Sequence, residues 1–282
     1  MMFEVKKVLA VINDIESMEI VLKKGIALAA IESAFLEVMF VHETPIFDRV
    51  EYFRFKYEAP LEGIDREKVR QAVVKILVDL NAPTDTPVEV FLDDTVDQVL
   101  KVTKRETSML ILVGHNNLIA KQLVQESHLP VLVLKNSKDH VYKNIVVPFD
   151  FTEASKIGVD LALKLFDKTL ITLVHDFRYL IMEDYVDPEG MVLPYFDMEI
   201  SDAEKKAQQN ELLSYARSKG VNSRFIIQEG SIVDDLINDI KNNDVDLVVS
   251  GSEDANRLFF RSVALEILSD SSTDVLVFAP KK

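Results

Sequence analysis

The chain has no cysteine among its 282 residues. That excludes a disulfide framework, thiolate catalysis and any cysteine-ligated zinc or iron–sulfur centre, so whatever chemistry exists uses oxygen and nitrogen ligands. Positive charge is scarce: 32 Lys and Arg stand against 47 Asp and Glu, a formal charge of −15. Non-specific affinity for nucleic acid comes mainly from neutralising phosphates, so DNA and RNA are not expected partners. Long hydrophobic runs are missing too. The apolar stretch from Val8 to Ile12 ends at Asn13 and Asp14, too short for a secretory core and far below the ~20 residues of a membrane span. The expected setting is cytoplasmic, with no membrane partner. No HExxH, GxSxG or GxxxxGK(S/T) pattern occurs. The chain is therefore expected to be no enzyme, with no catalytic residue and no metal site.

What is present is a globular composition, 48% hydrophobic and 28% charged, at a length that suits about two domains. Internal similarity makes them two copies of one unit. Val8-Leu9-Ala10-Val11-Ile12 resembles Ile145-Val146-Val147-Pro148-Phe149, and Leu110-Ile111-Leu112-Val113-Gly114 resembles Leu247-Val248-Val249-Ser250-Gly251, both at an offset of 137. Val131-Leu132-Val133-Leu134 resembles Val275-Leu276-Val277-Phe278 at an offset of 144, so the second copy carries 144 − 137 = 7 more residues ahead of its last strand. Within each copy short Val/Ile/Leu runs alternate with helical patterns. These are βαβ units around a parallel sheet buried on both faces. In the second copy Thr152 is the expected N-cap of a helix whose stripe runs Ala154, Ile157, Gly158, Leu161, Ala162, Leu165 and Phe166. The fold class is α/β: two doubly wound, Rossmann-like, five-stranded and mainly parallel sheets, in domains 1–140 and 141–282.

Such sheets bind ligands outside the carboxyl ends of their strands, where the strand order reverses. That points to Asn13, Asp14 and Asp150 after the first strand, His42 and His175 after the second, and Gly114 and Gly251 after the fourth. His42 and His175 look equivalent by duplication, and each is expected to be hydrogen-bonded to backbone at the end of an apolar strand. The adjacent pairs Asp93/Asp94 and Asp234/Asp235 are explained by helix N-termini.

The second copy is similar to the universal stress protein family through Tyr142 to Glu153 (YKNIVVPFDFTE), Leu173-Val174-His175, Asp246 to Gly251 (DLVVSG), Arg257 to Ala264 (RLFFRSVA) and Asp274-Val275-Leu276-Val277. The resemblance implies a nucleotide-binding pattern: an Asp after the first strand, then glycines and a hydroxyl residue after the fourth. Residue by residue, this makes Asp150, Gly251, Ser262 and Val263 the cofactor-binding candidates. Glycines let backbone N–H groups approach phosphate, and the following helix offers its positive end. Other residues depart from the pattern. Arg261 replaces a glycine, Asp254 stands at another, and Asp176 and Glu43 follow the two histidines where an apolar residue would pack on adenine. The first copy's loop from Gly114 to Ala120 lacks the later glycines altogether. Its carboxylate is open, because strand alignment sets Asn13 against Asp150 while the apolar helix stripe (Met18, Val21, Leu22, Gly25) favours Asp14.

The expected function is that of a non-catalytic tandem member, a stress-response sensor or scaffold with a degenerate nucleotide site and no assigned cofactor. The alternative is an ATP- or AMP-binding regulatory protein using the second domain only. The resemblance further implies a pseudo-dimer in which the last strands meet, Val131–Leu134 against Val275–Phe278; a further homodimer stays open. The acidic, aromatic loops 43–63 and 176–199 are either functional surfaces or covers for a sheet edge.

Overall fold

The computed structural model describes residues 4–42, 65–135, 141–176, 183–186, 192–195, 202–226, 231–251 and 263–280. The first half runs β1 (Lys7–Ile12), α1 (Met18–Glu32), β2 (Phe35–His42), α2 (Arg66–Asp79), β3 (Val88–Leu92), α3 (Thr95–Thr103), β4 (Met109–Val113), α4 (Asn117–Glu126) and β5 (Val131–Val133). The second runs β6 (Ile145–Pro148), α5 (Glu153–Leu165), a 3₁₀ turn (Lys168–Leu170), β7 (Ile171–Asp176), β8 (Glu183–Val186), β9 (Val192–Tyr195), α6 (Asp202–Lys219), β10 (Asn222–Ile226), α7 (Ile232–Asn242), β11 (Leu247–Gly251), α8 (Val263–Asp270) and β12 (Asp274–Phe278).

Strand alternation divides the core. Val8, Ala10 and Ile12 face a layer that contains α1, α2, α5 and α6, while Leu9 and Val11 face one built on α3, α4, α7 and α8. A sheet covered on both faces needs strands apolar on both, and all five residues of β4 (MLILV) are buried. Strand order is β10-β7-β6-β11-β12-β5-β4-β1-β2-β3, so each half has the doubly wound order 3-2-1-4-5. The two five-stranded units join as one ten-stranded sheet. Every neighbouring pair in it is parallel except β12 with β5, where Val275 faces Val133, Leu276 faces Leu132 and Val277 faces Val131. The 144 offset maps Leu132 onto Leu276, so the pseudo-twofold axis passes through that pair. Joining there removes two apolar strand edges that would otherwise stand open.

One element was not expected. Within the predicted loop 176–199, β8 and β9 form a separate antiparallel hairpin, from Glu183 opposite Tyr195 to Val186 opposite Val192. The loop 43–63 lies outside the described residues, as does the rest of 177–201.

Candidate functional site

In the second half the chain leaves β6 toward β7 on one side and has β11 on the other, so the strand order reverses between β6 and β11. The residues just after β6 set the mouth of that crevice. Asp150 is exposed, and its Oδ1 accepts from the Thr152 amide at 3.1 Å and from the Thr152 hydroxyl at 2.6 Å. Thr152 caps α5 as expected, its Oγ1 accepting from the Ser155 amide. Between them Phe151 takes φ +66°. Of the five described non-glycine residues with positive φ, Ser33, Asn81, His128 and Asp244 each follow a helix end, and Phe151 alone precedes a helix. A left-handed conformation costs a bulky residue roughly 1–2 kcal/mol, and here ring packing holds it. Phe151 meets Phe149 edge-on at 5.0 Å and His175 at 5.1 Å, and Phe149 stacks on Tyr215 of α6 at 4.6 Å.

His175 is 8% exposed. Its Nδ1 donates to the Phe149 carbonyl at 2.6 Å, which fixes the tautomer, and its Nε2 lies 3.3 Å from the Gln208 side-chain amide. It is thus the backbone-bonded strand-end histidine the sequence suggested. The aromatic group around it (Phe149, Phe151, Tyr215) was not foreseen; the alternation Phe149-Asp150-Phe151 was its only visible signal.

The glycines answer to packing. A Cβ on Gly251 would stand 1.9 Å from the Ala154 carbonyl and 2.8 Å from the Gly158 amide, so β11 ends in direct backbone contact with the first turns of α5. The first half repeats this at the 137 offset: a Cβ on Gly114 would lie 2.6 Å from Ser17 Oγ, and Ser17 is the counterpart of Ala154. Asp150 and Gly251 are therefore brought together around the start of α5. Val263 opens α8, half-buried, while Ser262, Arg261 and Asp254 lie outside the described residues.

Burial settles the first-half alignment. Six of the seven buried positions of α1 (Met18, Val21, Leu22, Lys24, Gly25, Leu28) become Ser155, Gly158, Val159, Leu161, Ala162 and Leu165 on adding 137, all buried in α5, and the seventh, Ala29, falls on half-buried Phe166 at its end. Asn13 is the counterpart of Asp150. Asp14 instead holds Ser17, the N-cap residue of α1, its carboxylate accepting from the Ser17 amide and hydroxyl, each at 2.6 Å. At α4 the Asn116 side chain accepts from the Leu118 and Ile119 amides at 3.2 Å. His115 beside it is exposed, and partial burial and the Lys135 charge hold its imidazole below the usual range.

The register corrects the histidine pair. Val11 faces Met39 and Pro148 faces Val174, so the second strands correspond at 174 − 39 = 135 and His175 matches Phe40 rather than His42. Phe40 is buried, whereas His42 is exposed, and its counterpart, residue 177, lies outside the described residues, as does Glu43. Asp176 ends β7 half-buried. Asp94 caps α3 by accepting from the Asp97 amide, and Asp234 lies in the first turn of α7, the helix-start roles expected of both. Among the described residues no three His, Asp or Glu side chains gather as metal ligands would, and no helix is long and apolar enough to cross a membrane.

Residues 141–279 match the Universal stress protein family model. No curated protein matches the chain by sequence. A universal stress protein from Archaeoglobus fulgidus DSM 4304 superposes with a TM-score of 0.63 at 13% identity, covering 99% of this chain and 100% of that one. A protein from Pseudomonas aeruginosa UCBPP-PA14 bearing the same family name gives 0.64 at 13% identity, covering 98% and 94%. At such identity these two likenesses establish the fold.

Proposed function

Through residues 141–279 the chain belongs to the universal stress protein family, and from that premise we propose that it is a non-catalytic tandem member acting as a stress-linked sensor or scaffold. The observation that carries this reading is how completely the first-half mouth is used by its own helices. The Asp14 carboxylate holds Ser17 at the start of α1, and Asn116 takes the amides of α4 that a phosphate would need. Its acidic surface acts on partners other than nucleic acid. The halves 1–140 and 141–282 are the folding units, and the β5–β12 contact joins them as a pseudo-dimer.

A second reading rests on a difference between the halves. Three residues (114–116) link β4 to α4, whereas eleven (252–262) link β11 to α8. Only the second half therefore approaches the chain length that the family's phosphate pattern calls for, so AMP or ATP in the second half alone is the alternative.

Thermal unfolding with and without millimolar ATP or AMP separates the two. A nucleotide at 100 times its dissociation constant stabilises by about 2.7 kcal/mol. The scaffold reading expects no shift and no nucleotide released from freshly purified protein, so a shift would overturn it. Under the alternative, Asp150→Ala abolishes the shift and Asn13→Ala leaves it; equal loss from both would contradict use of one half.

A further inference from the structure

The seam between the halves has two ends, which the pseudo-twofold axis relates. At one end lies a chain of polar contacts between the halves. Lys24 of α1, only 5% exposed, holds its Nζ 4.1 Å from the centre of the Tyr142 ring. The Tyr142 hydroxyl donates to Asp274 Oδ2 at 2.8 Å, and Asp274 Oδ1 accepts the Lys135 amide at 2.8 Å. Asp274 is fully buried and Tyr142 nearly so. The Lys135 ammonium donates to Asn117 Oδ1, and Asn117 Nδ2 donates across to the Ser269 carbonyl at 3.2 Å.

The duplication supplies the control. Adding 137 to Lys24 gives Leu161, and subtracting 137 from Tyr142 gives Val5; subtracting 144 from Asp274 gives Pro130, and adding 144 to Lys135 gives Ala279. All four are buried. At these positions one end of the seam is polar and its mate apolar, although the strands between them are Val-Leu-Val on both sides.

We propose that this cluster selects the partner: it makes β5 accept β12 of its own chain and reject a second copy of either half. If two second halves paired, each Asp274 would face Ala279 in place of Lys135, and each Tyr142 would face Leu161 in place of Lys24. Each buried Asp274 would keep the Tyr142 hydroxyl and meet the Ala279 amide in place of that of Lys135, but would lose the Lys135 charge beside it. If two first halves paired, the buried Lys24 would face Val5 in place of the Tyr142 ring, and the half-exposed Lys135, still bonded to Asn117, would face Pro130 in place of Asp274. Removing one partner of a buried charged pair costs far more than the intact pair contributes, so the device selects between partners more than it stabilises. Burial and the neighbouring Asp274 hold the Tyr142 hydroxyl well above its ordinary value, which keeps it protonated as the donor the cluster requires. The inference rests on the β5–β12 seam and is independent of whether a nucleotide binds.

The test compares the intact chain with Lys24→Leu/Asp274→Ala, each unfolded, refolded at equal concentration and examined by sedimentation. The natural chain returns to one species. The double variant, in which the buried Tyr142 hydroxyl loses its acceptor, should unfold more easily and return as a mixture containing larger, homotypically paired species; a single species identical to the natural one would overturn the proposal. Should the variant fail to refold, the natural protein nicked within residues 136–140 decides the matter. Native mass spectrometry should then find the two halves together, and homotypic pairs at their statistical share would refute the selection.

Discussion

The two halves share a core almost to the residue and differ at the strand ends. The buried stripe of α1 reappears in α5 at one offset, and Gly114 and Gly251 lie against matching first turns. Beyond the strands the correspondence stops. At its mouth the first half has Asn13, with the neighbouring Asp14 carboxylate turned onto Ser17; the second presents an exposed Asp150 beside a strained Phe151 braced by rings. The halves agree where packing demands it and differ at the mouths, the part of a fold on which function depends.

The comparison is broken most severely at the glycines. Gly251→Ala places a methyl on backbone that cannot yield, so a loss of about 3 kcal/mol or more is expected in urea unfolding. Gly114→Ala meets a serine side chain and should cost about 1 kcal/mol, with Ser17→Gly relieving it. A neutral Gly251→Ala would mean that the glycine serves a ligand rather than the fold. A smaller effect sharpens the contrast at Phe151. Phe151→Gly should be more stable than Phe151→Ala by about 1 kcal/mol, because only glycine takes positive φ freely. The same pair of substitutions at Asp14, which is not among the residues of positive φ, should show no such preference. The smallest effect concerns Lys135, whose ammonium burial and the nearby Lys121 charge bring down to about 8. The folded value lies below the ordinary 10.5, so between the two the unfolded chain binds more protons and stability rises with pH across that window. Lys135→Met should flatten the rise. The group is half-exposed, so screening keeps the effect under about 1 kcal/mol.

The sequence carried the architecture because burial on both sheet faces leaves a repeated apolar signature. The βαβ order, the 137 offset and the Thr152 cap could all be read directly. The helix phase could not, because the stripe was drawn through apolar residues while the fold buries Lys24 and Ser155. His42 and His175 were matched by residue type and position at a strand end, but the offset falls to 135 between the first and second strands, and only register reveals that. The hairpin β8–β9 was hidden in a stretch whose acidic and aromatic composition resembles a surface loop. At the candidate site, Asp150 and Gly251 were legible as strand-end residues. The contact of Gly251 with α5 was not, since it joins backbone atoms nearly a hundred residues apart.

The antiparallel seam also has a history in time. β5 is complete at residue 133, and its partner β12 begins at residue 274, about 140 residues later. At ribosomal speed that leaves a nascent first half waiting roughly 7 to 30 s with a bare strand edge. The edge is short, three residues, and is bracketed by Pro130 and Lys135, both of which discourage another strand from adding to it. Lys135, whose amide fastens the finished seam to Asp274, thus also guards its open half during synthesis, when neighbouring nascent chains on one message are the nearest competitors.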